Sequence, residues 1–224
     1  MFRVFYGFAA LTLLSLAIFA GGHWLSRLLS RGDYTEDPTP REIVIGNNVL
    51  SVPSNAIRFA SARRDGEAAR IDLYLHWPDM EGYTAAARDD FNDVSGRRDI
   101  LFVTFEPQQM PLDMSERFDP IYRSLVAEPA KPGENGIEFY DFKPDTGYAG
   151  EKLAVAKRPG KLPFVARCLT GAAATQSLAP CERDIAVGDR LTLLYRFPES
   201  LLGSWRQLDE AVTRRARDYL KAAN

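Results

Sequence analysis

Residues 71–77 read IDLYLHW, and Pro78 follows them. Ile71, Leu73, Leu75 and Trp77 share one side of an extended chain; Asp72, Tyr74 and His76 share the other. Successive side chains of a strand point to opposite faces, so this alternation predicts a strand with one face in a core. Proline has no N–H to continue a ladder, and Pro78 ends the strand.

Working outward, Thr84 can cap a short helix running to about Asn92, with Tyr83, Ala87 and Phe91 on one side and Asp89-Asp90 on the wet side. Residues 100–105, ILFVTF, are apolar on both faces and predict a central strand covered by helices on at least one side. In the other direction, residues 41–53 read REIVIGNNVLSVP. Ile43 and Ile45 alternate inward, Gly46-Asn47-Asn48 can turn, and Leu50 and Val52 resume the pattern, which predicts a hairpin. Residues 61–69 read as an exposed loop.

Further along, Asp113 and Glu116 have capping-box spacing before a helix over about 114–127, with Pro120 as a kink. Residues 128–136 are a loop. Strands follow at 137–142, around 153–155 and at 164–169. A second hairpin turns at Gly188-Asp189, with Ile185 and Val187 before it and Leu191, Leu193 and Tyr195 after it. From Pro198 to Leu220, the residues Leu201, Trp205, Leu208, Val212 and Tyr219 form one helical stripe, with Ala216 near its centre. Arg206, Asp209, Glu210, Arg214, Arg217 and Asp218 fill the other side. The fold class is therefore α+β: a mixed or mainly antiparallel sheet packed with a long C-terminal helix.

Cys168 and Cys181 bracket twelve residues. A bridge between them would join the strand before that loop to the first strand of the second hairpin, stabilising by roughly 3 kcal/mol on chain-entropy grounds. In a reducing compartment they would remain thiols.

Residues 4–22, VFYGFAALTLLSLAIFAGG, carry no charge. As a helix they span roughly 28 Å, close to the roughly 30 Å of a bilayer's hydrocarbon. Trp24 suits the headgroup layer. A cleaved signal fits poorly, because Ile18 stands where a small residue should precede Ala20. Residues 4–24 thus read as a retained transmembrane signal anchor, 25–41 as a juxtamembrane stalk and 42–224 as the soluble domain. Arg27, Arg31 and Arg41 outnumber Arg3, which slightly disfavours an outside domain. The cysteine pair and the likeness of the short basic tail to an uncleaved signal favour one. The expected placement is a single-pass bacterial inner-membrane protein with its domain in the periplasm.

The chemistry is sparse. A net charge of −2 argues against a generally basic nucleic-acid binder. Zinc, EF-hand, Walker, G-x-G-x-x-G and G-x-S-x-G patterns are missing, so no catalytic, cofactor or metal residue is assigned. His23 sits at the membrane edge. His76 lies about 13 Å along a strand from Asp72, too far for a hydrogen bond. Glu106, Glu138 and Asp141 are the carboxylates a hydrolase would draw on. Tyr148 is the aromatic residue most expected at the surface.

These features predict a membrane-tethered periplasmic interaction protein with a membrane or envelope protein as partner. It would be an accessory or assembly subunit of an inner-membrane complex, or an immunity-type inhibitor. Contact with the lipid bilayer falls to residues 4–24; the stripe of Leu201, Trp205, Leu208 and Val212 is expected to pack on its own sheet, with partner binding as the alternative, and Tyr148 is the exposed aromatic candidate for recognition. The alternatives are an anchored envelope hydrolase using carboxylates, and a lipid- or ligand-binding module with a concave sheet under the last helix.

Overall fold

A computed structural model describes residues 34–93 and 99–221. The expected anchor, residues 4–24, lies outside them. Among the described residues no helix is long and apolar enough to cross a membrane.

The first hairpin forms as its pattern predicts. Strand β1 (Pro40–Ile45) pairs antiparallel with β2 (Asn48–Pro53), and Ile43 stands opposite Leu50. Gly46 makes the turn at φ +57°, a left-handed conformation that costs glycine little. Ile43, Ile45, Leu50 and Val52 are all buried. Residues 36–39, which the sequence assigns to the stalk, are already bound to this unit. The Asp37 and Thr39 carbonyls accept the N–H groups of Asn55 and Ser54, each at 2.9 Å. A two-residue strand, β3 (Gly66–Glu67), pairs parallel with β1 inside the region read as a loop. So short a polar strand has no periodicity to reveal it.

The larger sheet holds β4 (Ile71–His76), β5 (Ile100–Pro107), β6 (Lys131–Pro132), β7 (Ile137–Asp141), β8 (Glu151–Arg158), β9 (Lys161–Leu169), β10 (Cys181–Val187) and β11 (Leu191–Phe197). Their order is β4-β5-β11-β10-β9-β8-β7-β6, and every neighbouring pair is antiparallel. The placement of residues 100–105 needs correction. β5 is one strand in from the edge, and its Leu101, Val103 and Phe105 share a core with Ile43, Ile45, Leu50 and Val52. The small sheet covers that end, where the sequence led us to expect helices.

Among the described residues, α1 (Arg88–Asn92), α2 (Arg123–Leu125) and α3 (Gly171–Gln176) are short helices outside this frame, and α4 (Trp205–Tyr219) is the long one. Thr84 accepts the Ala87 N–H at 3.2 Å, as a cap should, but only the last turn of the expected segment is helical. The Asp113–Glu116 capping box forms in both directions, at 2.8 and 3.0 Å. It opens a turn instead of a long helix. Pro120 has no N–H, and the chain widens so that Tyr122 donates to the Arg117 carbonyl five residues back. α3 lies in the loop between the cysteines.

A turn over Glu199–Ser204 leads into α4, whose stripe lies flat on the sheet. Trp205, Leu208, Val212, Ala216 and Tyr219 are buried there with Phe164, Ala166, Leu193 and Tyr195. Asp209, placed on the wet side by periodicity, is instead buried, 7% exposed. On the opposite face, Met114, Phe118, Tyr122 and Val126 pack over Tyr140, Leu153, Val155 and Val165, so the 114–126 segment roofs β7, β8 and β9.

Cys168 and Cys181 are joined, as expected, and stand directly opposite each other on β9 and β10.

Candidate functional site

The roof over β7–β9 stops short of the rest of its face. Strand register fixes what remains in the open. Glu106 stands beside Thr192; Thr104 beside Leu194 and then Asp184; Phe102 beside Arg196, Glu182 and Arg167. These residues share the face away from α4, because their strand neighbours Val103, Phe105, Leu193 and Tyr195 point into the core. Residues 108–114 run along one margin. Between that margin and the strands lies a groove of about 220 Å³, walled by Glu106, Asp113, Glu182, Asp184, Arg117 and Arg167. Met110 and Leu112 are 54% and 36% exposed at its rim, two of the few large apolar side chains left in water.

The groove's charges are mostly committed. Arg117 grips both oxygens of Asp184, at 2.8 and 2.9 Å, and donates to the Leu112 carbonyl at 3.0 Å. Burial disfavours its charge, but Asp184 more than offsets this and raises its pKa. Arg167 pairs with Glu182 and lies 3.5 Å from Glu151. Burial lifts Glu151 above the usual carboxylate range despite Arg167, with the Glu182 charge adding to the rise. Asp113 accepts the Glu116 N–H in its capping box. The Glu106 side chain alone among these four carboxylates has no hydrogen bond or ion pair among the described residues. Glycoside hydrolysis uses a pair of carboxyl groups, one as acid and the other as base or nucleophile. This groove offers one uncommitted group.

Behind the groove the sheet splits. β9 and β10 pair at Cys168–Cys181 and Arg167–Glu182, then part. Arg183 fills the opening from the helix side. Its Nη1 donates to the Val165 carbonyl and to Ser115 Oγ, each at 2.9 Å, and its Nε donates to Asp209 at 2.9 Å. Asp209 also accepts from Tyr195 OH at 3.1 Å and from Arg158 at 2.7 Å. Complete burial, reinforced by Asp209, drives the Tyr195 phenol well above its usual pKa. The same burial opposes charge on Arg183, but Tyr195 and Asp209 outweigh it. This network binds α4 to the split sheet and exposes little for chemistry.

The other expected residues fall as follows. Leu201, Trp205, Leu208 and Val212 are buried against the sheet and leave no stripe for a partner. The same packing closes the sheet beneath the middle of α4, and a cleft of about 290 Å³ remains beside its later turns, lined by Arg158, Arg183, Ile185, Val187, Thr213 and Arg217. Tyr148 is half-buried, stacked on Phe142 at 4.6 Å and beneath Arg167 at 4.9 Å. Glu138 accepts from Tyr140 OH at 3.3 Å, and Asp141 pairs with Lys131. Neither faces the groove. His76 meets Asp79 at 2.9 Å and Asp90 at 3.1 Å, both outside its own strand. His23 lies outside the described residues. Among the described residues no cluster of three or more His, Cys, Asp or Glu side chains could hold a metal ion.

Arg117, Asp184, Arg183 and Asp209 were missed by sequence reasoning. One signal was present for Arg183: it stands in phase with Cys181 and Ile185, which face the core. Arg117 carried no such mark, because the turn that buries it is not regular.

No family model and no curated protein matches this chain. Two solved structures resemble it. An immunity protein of the Stenotrophomonas maltophilia type IV secretion system aligns with a TM-score of 0.53 at 12% identity, over 83% of this chain and 94% of that one. The iron-regulated outer membrane lipoprotein FrpD of Neisseria meningitidis aligns with a TM-score of 0.43 at 11% identity, over 82% of this chain and 95% of that one. The first likeness establishes a shared fold.

Proposed function

We propose that this chain is an immunity-type protein of the bacterial envelope: residues 4–24 hold it in the inner membrane, and its periplasmic domain binds and neutralises a secreted effector protein. The observation that carries the reading is the open sheet face, with Met110 and Leu112 exposed beside a groove whose charges are already positioned. Exposed apolar groups rimmed by polar ones mark protein-binding surfaces. Shared fold with a type IV secretion immunity protein supports the same class. The disulfide suits an oxidising compartment. A short tether would keep the domain near the membrane and raise its effective concentration toward anything arriving there.

Contact-dependent competition tests this. A strain lacking the protein, mixed at high density with its parent, should be depleted, and expression of the full chain should restore it. Equal survival of the two strains on solid medium would overturn the reading. A reporter active only outside the cytoplasm, fused after Asn224, should be active; a silent reporter would overturn the periplasmic placement.

A further inference from the structure

Resting on the reading above, we propose that the groove between β5, β11, β10 and the 108–114 margin receives a lysine or arginine side chain from the partner protein, with Met110 and Leu112 closing over the apolar contact beside it. The charge balance selects a cation. Four carboxylates line the groove against two guanidinium groups. Both guanidinium groups are paired with carboxylates of the groove wall, and the Nε–H that each leaves unpartnered is buried, out of reach of an entering anion. The Glu106 side chain, by contrast, has no partner among the described residues and stands beside the Thr192 hydroxyl on the neighbouring strand. An entering cation would find Glu106 unpaired and Asp184 and Glu182 already held in place by their arginines. An entering carboxylate would meet Glu106 and gain nothing from Arg117, which is 7% exposed and saturated at both terminal nitrogens.

The rim supplies the second half of the contact. Met110 and Leu112 are exposed on the same margin whose carbonyl and sulfur hold Arg117. A long basic side chain carries an apolar stem, so one residue can place its head by Glu106 and its stem against Met110. Arginine anchors in preformed pockets are frequent centres of binding energy. Methionine at the rim adapts to the shape of whatever covers it.

In-cell photo-crosslinking of the full chain tests the proposal. A photo-reactive benzoylphenylalanine is placed at Met110, and separately at Glu210 on the exposed side of α4 as a control. The Met110 position should yield a discrete adduct with another protein, and the Glu210 position should not. Sequencing the crosslinked peptide should find a lysine or arginine within a few residues of the attachment point. Glu106→Lys in the same chain should reduce the adduct at least tenfold at unchanged protein level. Leu112→Asp, at a side chain 36% exposed, should weaken it too at unchanged protein level, which guards against misfolding as the cause of the first result. An adduct between two copies of this chain, an attachment site without a basic residue, no adduct, or an adduct indifferent to both variants would each overturn the proposal. Failure of the immunity reading looks different: the adduct forms on a basic segment, yet loss of the protein causes no depletion in competition.

Discussion

Asp209, on the last helix, accepts the buried Nε–H of Arg183, on β10, at 2.9 Å. The pair joins two elements that the sequence reads as separate: a hairpin strand and the wet side of an amphipathic helix. Arg183 is 2% exposed, so its charge has no water to fall back on. Its Nη1 donates to the Val165 carbonyl and to Ser115 Oγ, which closes the gap left where β9 and β10 separate.

Removing the carboxylate should therefore cost much more than a surface ion pair. Asp209→Ala leaves a buried guanidinium, Tyr195 OH and Arg158 without their shared acceptor. Loss of one partner of a buried pair typically costs about 3–5 kcal/mol. Urea unfolding of Asp209→Ala should show that loss. The double variant Arg183→Met, Asp209→Leu should recover part of it, because no fully buried charge is left unpaired and Arg158, 22% exposed, can turn to water. A single variant as stable as the parent would mean that water reaches Arg183.

Trp205 is the central residue of the helix stripe. It is 2% exposed, lies 5.0 Å ring to ring from Phe164, and donates its indole N–H to the Asn135 carbonyl at 3.1 Å. Trp205→Ala removes transfer energy and leaves a cavity, a loss of about 3–5 kcal/mol. Trp205→Phe keeps most of the volume and should cost less, the difference including the lost hydrogen bond. Denaturant midpoints of the two variants check the ranking. A stable Trp205→Ala protein would place the stripe outside the core after all.

Regular patterns were the legible part of this chain. Ile43, Ile45, Leu50 and Val52, the core side of the strand at 71–76, most of the second hairpin, the cysteine pair and the α4 stripe all follow from alternation or helical spacing and are buried as expected, whereas Tyr74, on the side of its strand left open by the pattern, is buried too and Val187 is only partly so. What stayed hidden depends on contacts between distant residues. Asp209 obeys the helical period of a wet face, yet Arg183 and Arg158 draw it inward. Periodicity describes one element at a time and cannot register a partner supplied by another. The groove was hidden for the same reason. Glu106 is adjacent to Thr192 only through strand order, and Asp184 finds Arg117 from sixty-seven residues away. Met110 and Leu112 stand in a segment with no regular repeat, so no rule marked them as exposed.

The Cys168–Cys181 bridge sits one register position before Arg167–Glu182, the last pair before β9 and β10 part. It closes a short loop, and its loss should cost about 3 kcal/mol through the unfolded chain. Reductant should lower the denaturation midpoint of the full chain, and Cys168→Ala/Cys181→Ala should lower it to the same point without reductant. Thiol titration must confirm both states. A midpoint unmoved by reduction, with two thiols counted, would show that the paired strands hold without the link.

His76 makes stability depend on pH. Its ring nitrogens face Asp79 at 2.9 Å and Asp90 at 3.1 Å, and only the doubly protonated ring can donate to both. Partial burial works against the charged ring, but hydrogen bonds and charge from Asp79, then Asp90, outweigh it and raise the pKa above the ordinary 6.5. Arg215 donates to the Asp79 carbonyl at 3.2 Å and to Glu81 at 3.3 Å. The raised value fixes the sign. The contribution is fully present below the unfolded pKa of about 6.5 and is lost as pH rises from there through the higher folded value. Asp90 belongs to α1, whose Phe91 covers Tyr74 and Tyr83, so the loss should loosen that helix on the β4 edge. Unfolding midpoints measured from about pH 5.5 to 8.5 should fall across this window in the parent. His76→Gln should flatten the fall, and it should bring the low-pH midpoint down toward the high-pH one. Parallel profiles for the two proteins would remove His76 as the cause.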